Sequence, residues 1–244
     1  MRRHLHSRLY SQTKKIINIV KKYVKEKCYN EPTGHDWLHI QRVYKNAMLI
    51  NKKENANEFI ITLIVLMHDL YDHKFYNGNI EEKLEEILKE LHIYNYISKN
   101  DIENIIYSCV NLGFCANIVG QKELSKEGKV AQDADRLDAL GAIGIARTFA
   151  YGGKEGKLIY DPDNNDLVNE EEYKKKGSKT SISHFYDKLL KFFDSCKKTD
   201  FEWKSLQNPF LGSSNRKLFG LWNTSDAIQL AYPKENIPFV RTNN

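Results

Sequence analysis

Apolar positions recur at helical spacing along most of the chain. Ile16, Ile17, Ile19, Val20, Tyr23 and Val24 lie three and four residues apart and predict a first helix over about 14–25. Pro32, Thr33 and Gly34 interrupt it, and Asp36 stands where an N-cap would open a second helix, WLHIQRVYKNAMLINKKE, over 37–54. From Glu58 to about Leu70 the chain is apolar nearly all round, the pattern of a helix buried at a domain centre. Further helices fit 80–91 and 99–111, and 130–149, rich in Ala and Gly, reads as one continuous helix. Residues 151–176 hold Gly152, Gly153, Gly156 and Pro162 among charges and read as a long surface loop, before a last helix from Ser178 to about Lys197. Strand-like alternation and internal repeats are both missing, so the expected fold class is all-α. After Thr199 the pattern fades into NPF, GSSN, YPKEN and TNN, which read as loop or tail.

Composition narrows the picture. A chain of 244 residues, 41% hydrophobic and 28% charged, can bury one good-sized core. Its longest apolar run, Phe59 to Met67, falls far short of the roughly 18–20 residues that span a bilayer, so no membrane partner is expected. The net charge of +5 comes from one place. Residues 1–25 carry eight of the 37 basic residues and no acid, which leaves 29 basic against 32 acidic residues elsewhere. No basic footprint covers the body, and nucleic acid is therefore not an expected partner. The start, MRRHLHSRLYSQTKK, resembles a mitochondrial-type presequence; the plainer reading is a disordered basic extension over 1–13. Cys28, Cys109, Cys115 and Cys196 form no CxxC pair, as expected in a reducing compartment, and the cytoplasm is the first expectation.

Three places then stand out chemically. On the second helix His39 shares a face with Val43, Ala47 and Ile50, so it turns inward. Alone, an inward histidine is usually a hydrogen-bonded core residue. His68 and Asp69 follow nine largely apolar residues, where an unpaired carboxylate is expensive to bury. A salt bridge, exposure at a helix end or a metal would each relieve it; the adjacent imidazole favours metal, because nitrogen and carboxylate together suit borderline divalent ions. In QDADRLDALGAIGIARTF, Asp135 shares a helical face with Ala131, Ala139, Ala142 and Ala146, small residues that would seat it in a tight helix junction. Asp133 and Asp138 are placed on other faces, as solvated or helix-dipole acids.

The order H…HD…D resembles the HD-domain superfamily of metal-dependent phosphohydrolases, and most closely its small stand-alone bacterial members. The resemblance rests on GHDWLHIQRV (34–43), HDLYDHKF (68–75), DADRLDALGAIGIARTF (133–149) and TSISHFYDKLL (180–190). It spans about 14–197 and does not reach 198–244. It implies a single HD-domain helical bundle with one divalent transition metal, Mn, Fe, Co, Ni or Zn ahead of Mg, held by His39, His68, Asp69 and Asp135. It also implies a small phosphorylated substrate, a nucleotide first among them, with triphosphate pyrophosphohydrolysis as the activity of some relatives.

Other residues fall into place around those ligands. Asp72, one turn past Asp69, is either the base that takes a proton from attacking water or a surface acid at a helix end. His73 and Lys74 are placed to meet phosphate oxygens. Arg42 and Arg136 are phosphate contacts or ordinary salt-bridge partners. Lys179 and His184 lie in the expected helix that holds the last matched segment and are further substrate-binding candidates, whereas His35 and Asp36 are explained by helix capping. The competing function is a nucleotide or alarmone sensor that keeps the fold without turnover.

Overall fold

The computed structural model describes residues 2–29, 31–71, 78–117, 122–164 and 167–195, together with 76, 120 and 199. These residues form helices and their connections, with no strand among them, as the sequence predicts. Helix α1 spans Arg2–Lys27, α2 Trp37–Glu54, α3 Glu58–Met67, α4 Ile80–Glu90, α5 Lys99–Asn111 and α6 Lys126–Asp138. Then come α7 Gly141–Lys154, α8 Glu170–Lys176, a π-helical turn Phe185–Leu189 and α9 Leu190–Ser195.

Local chemistry sets most of these boundaries. Asp36 caps α2 by accepting from the His39 backbone N–H at 2.8 Å, and Asn57, Asn79, Ser98, Ser125 and Asn169 cap the next helices in the same manner. Helix α3 is buried from Ile60 to Met67 and forms the spine of the molecule. Against it lie α1, through Ile16, Val20 and Val24, and α2, through Ile40, Val43, Ala47 and Ile50, with α5 and α6 completing the main core. A smaller apolar cluster, built on Ile182, Phe185, Leu189 and Phe192, packs with Phe114, Leu140, Ile145 and Phe149. The candidate site lies between the two.

Several sequence expectations need correction. Helix α1 begins at Arg2, so residues 2–13 extend the first helix and are not a tail without structure. The expected single helix over 130–149 is two. Helix α6 ends at Asp138, and Gly141, at φ +72°, takes the left-handed turn that a side chain would resist, so α7 leaves in a new direction. Ala142 and Ala146 are consequently exposed on α7 and do not continue the buried face of Ala131. The expected surface loop is also partly helical. Helix α7 runs through Gly152, which is buried and where a Cβ would overlap the Ser181 hydroxyl, and α8 has three acids in its first turn and three lysines in its last. None of the described helices is long and apolar enough to cross a membrane.

Candidate metal centre

Four candidate ligand atoms converge where α2, α3 and α6 meet. His39 Nε2 lies 3.3 Å from His68 Nε2, 3.0 Å from Asp69 Oδ2 and 3.5 Å from Asp135 Oδ1. His68 Nε2 lies 3.4 Å from Asp69 Oδ2 and 3.7 Å from Asp135 Oδ1. Adjacent donors on a six-coordinate ion with bonds of about 2.1 Å stand about 3 Å apart, so the spacing suits a single divalent cation. One ligand atom each from His39, His68 and Asp135 falls within 4.8 Å of the other two. Asp69 Oδ2 is buried close to both imidazoles, yet no hydrogen bond satisfies it, as expected of an oxygen aimed at a cation.

Each imidazole is aimed by its other nitrogen. His68 follows the last turn of α3, where the carbonyls run out of helical partners, and its Nδ1–H donates to Val65 O at 2.8 Å. His39 Nδ1–H donates to Asp138 Oδ2 at 2.7 Å. Both rings therefore turn Nε2 to the cluster, the carboxylate–histidine arrangement that orients metal ligands. Asp138 also accepts from Arg42, Nε at 2.6 Å and Nη2 at 3.0 Å, and from Arg147 Nη1 at 3.0 Å.

The charges show what the site needs. Burial opposes the charged form of His68, but Asp69 and Asp135 outweigh it and push its pKa up to about 9. His39 is raised as well: burial works against the charge, and its hydrogen bond to Asp138 with the negative charge of Asp69 close by overcomes it. Burial would raise both acids, yet the neighbouring histidines hold Asp69 and Asp135 well below the ordinary carboxylate range. Positive charge is in demand at the centre of this group, and protons or a divalent ion can meet it.

Three of these four residues, His68, Asp69 and Asp135, line a cavity of about 170 Å³. Asp69 and Asp135 are the acids among its described lining residues; besides His68, the basic ones are His35, Arg136, Arg147, Lys157, His184 and Lys188. Thr33, Thr148, Thr180 and Ser181 add hydroxyls, and Phe114, Tyr151 and Phe192 add aromatic surface.

The sequence-derived candidates separate on this geometry. His39, His68, Asp69 and Asp135 come together, and Arg136 and His184 line the adjoining cavity. Arg42 does not line it, being spent on Asp138. Lys179 Nζ donates to Asn164 Oδ1 at 3.1 Å and is not among the residues lining the cavity. Asp72, His73 and Lys74 lie outside the described residues.

Asp133 and Asp138 are buried, not solvated: Asp133 Oδ2 accepts from Thr199 N and Oγ1, and Asp138 is the ion-pair hub behind His39. Sequence reasoning missed the hub and the cationic groups Arg147, Lys157 and Lys188. A signal for Asp138 was present, since it lies three residues beyond Asp135 and so close to the same helical face.

No family model matches the sequence. The chain is 32% identical to YpgQ of Bacillus subtilis over 176 residues, 72% of this chain and 78% of that one. A YpgQ structure in complex with ADP shares 30% identity, covers 91% of this chain and 97% of its own, and has a TM-score of 0.64. A Lactobacillus plantarum structure matches at 33% identity over 76% of this chain and 85% of its own, with a TM-score of 0.66. A Bacillus thuringiensis structure described as an HD-superfamily hydrolase is 38% identical over 75% of this chain and 82% of its own, with a TM-score of 0.51. The chain belongs to the HD superfamily, in the company of YpgQ.

Proposed function

We propose that the protein is a metal-dependent phosphohydrolase acting on a nucleotide, with one divalent ion held by His39, His68, Asp69 and Asp135. The observation that carries this reading is one cavity lined both by converging nitrogen and carboxylate donors and by cationic side chains. The first feature suits a metal that activates water and neutralises charge on phosphorus. The second suits an anion with more than one phosphate group. The ADP held by YpgQ is consistent with a nucleotide in the equivalent cavity.

The protein's own residues do the positioning. Asp138 and the Val65 carbonyl keep both Nε2 atoms turned inward, so the donor set is assembled before any ligand arrives. Basic side chains around the cavity counter the charge that builds on the departing phosphate oxygens. Asp72, one turn past Asp69 in the sequence, would take the proton of the attacking water, and Lys74 would contact phosphate oxygens. Asp72→Asn should then keep the metal and lose about 10²-fold or more in turnover.

On this reading triphosphates are cleaved between the α and β phosphorus atoms. A screen of nucleoside mono-, di- and triphosphates, with phosphate and pyrophosphate detected separately, tests it. For a substrate that turns over, hydrolysis in ¹⁸O-labelled water should place label in the monophosphate. Free phosphate with a diphosphate product would reject this cleavage, and tight nucleotide binding without turnover would favour the sensor.

A further inference from the structure

Arg136 is the least explained charged residue in the molecule. It is 4% exposed, yet neither Nε nor Nη1 has a hydrogen-bond partner among the described residues. Four acids share its helix, and among the described residues each is engaged elsewhere: Glu127 accepts from the Asn57 backbone N–H. Asp133 is engaged by Thr199, Asp135 faces the two imidazoles, and Asp138 is occupied by His39, Arg42 and Arg147. A buried guanidinium without an anion is costly, and a protein keeps one where an anion is going to bind.

Its surroundings suit that use. Arg136 follows Asp135 directly in the chain and lines the same cavity. Its guanidinium carbon lies 5.6 Å from the centre of the Phe192 ring, and Lys188 Nζ lies 5.4 Å from the same ring and 5.8 Å from that of Phe114. Phe114 and Phe192 pack edge to face at 5.2 Å, so both cations rest on one fixed aromatic pair. The π-helical turn Phe185–Leu189 carries Lys188 to this wall. Two cations braced on one apolar support beside the metal cluster can hold two linked anionic groups better than one.

We propose that Arg136 and Lys188, braced on Phe192, form a specificity subsite for a phosphoryl group next to the one held at the metal centre. This deepens the phosphohydrolase reading and rests on it. The substrate class it selects is nucleotides with at least two linked phosphates.

The test is binding of inorganic pyrophosphate and of orthophosphate to the full, Mn²⁺-loaded chain, read from thermal unfolding at fixed free metal. The parent should hold pyrophosphate about tenfold or more tightly than orthophosphate. Arg136→Met, which keeps the stem against Phe192, should erase that preference with metal content unchanged, and Arg136→Lys should keep part of it. Lys188→Met, at a half-buried position, should weaken the preference as well and supplies the answer if Arg136→Met does not fold. Parent-like preference in the metal-loaded Arg136→Met protein overturns the subsite, as does parent-like preference in Lys188→Met should that variant stand alone. Arg136-dependent pyrophosphate binding in a protein that hydrolyses no nucleotide would retract the phosphohydrolase reading and leave the subsite standing.

Discussion

Replacing Asp138 by Asn keeps the volume and one acceptor but removes the charge on which His39, Arg42 and Arg147 converge. The side chain is 4% exposed, against 33% for Arg42 and 14% for Arg147, so the Arg147 pair is the better shielded and the Arg42 pair is partly screened. Breaking a well-buried pair costs about 3–5 kcal/mol; with the screening and the surviving acceptor, about 2–3 kcal/mol is expected. For a chain of this size that lowers the melting temperature by about 5–10 °C. Because Asp138 also aims His39, metal affinity should fall by about 10–100-fold.

The pH dependence follows the same carboxylate. Burial would raise its pKa, but hydrogen bonds from His39 and Arg42 bring it below the ordinary value. Its stabilisation is therefore present above about pH 4 and is lost as pH falls through the depressed folded value, so Asp138→Asn should flatten that acid limb. Calorimetric melts and metal titrations read both effects. Asp133→Asn is the internal control, an equally buried acid on the same helix that serves Thr199; it should lose stability and keep metal affinity. Parent-like stability and metal affinity in Asp138→Asn would refute the reasoning. Equal metal loss in Asp133→Asn would mean that any softening of α6 suffices.

Three further outcomes are expected. Metal binding at pH 7.5 should release about one proton or more per ion, because the metal-free His68 titrates near 9; affinity should rise with pH up to that value, and titration in buffers of different ionisation enthalpy would expose zero release. Gly152→Ala should lower the melting temperature without altering metal content, since a Cβ there overlaps the Ser181 hydroxyl, and an unchanged melt would show that the 178–184 segment yields freely. Lys74→Ala should weaken binding of triphosphates more than of monophosphates, and equal loss for both would remove Lys74 from the outer phosphates.

Where local signals decide structure, the sequence was legible. Helix α2 has the predicted bounds because the Asp36 cap and the His39, Ile40, Val43, Ala47 and Ile50 stripe agree, and α5 likewise runs over 99–111. The four residues that cluster, His39, His68, Asp69 and Asp135, were readable because each puts a polar group into an otherwise apolar segment. The break between α6 and α7 was hidden by its small residues, which suit a helix interior as well as a corner; one positive φ at Gly141 decides it. The burial of Asp138 depends on Arg42 from α2 and Arg147 from α7, partners 96 and nine residues away that no local pattern exposes. Helix α8 did carry a local signature, an Asn cap, three acids, three lysines and Gly177, which the surrounding glycines and charges masked.

Metal content of the purified full-length protein, compared with its Asp69→Ala and Asp135→Ala variants, tests the central claim most directly. The account predicts about one transition-metal ion per chain in the parent and loss of that ion in both variants, with folded protein confirmed by circular dichroism. Full metal occupancy in the two variants would contradict it.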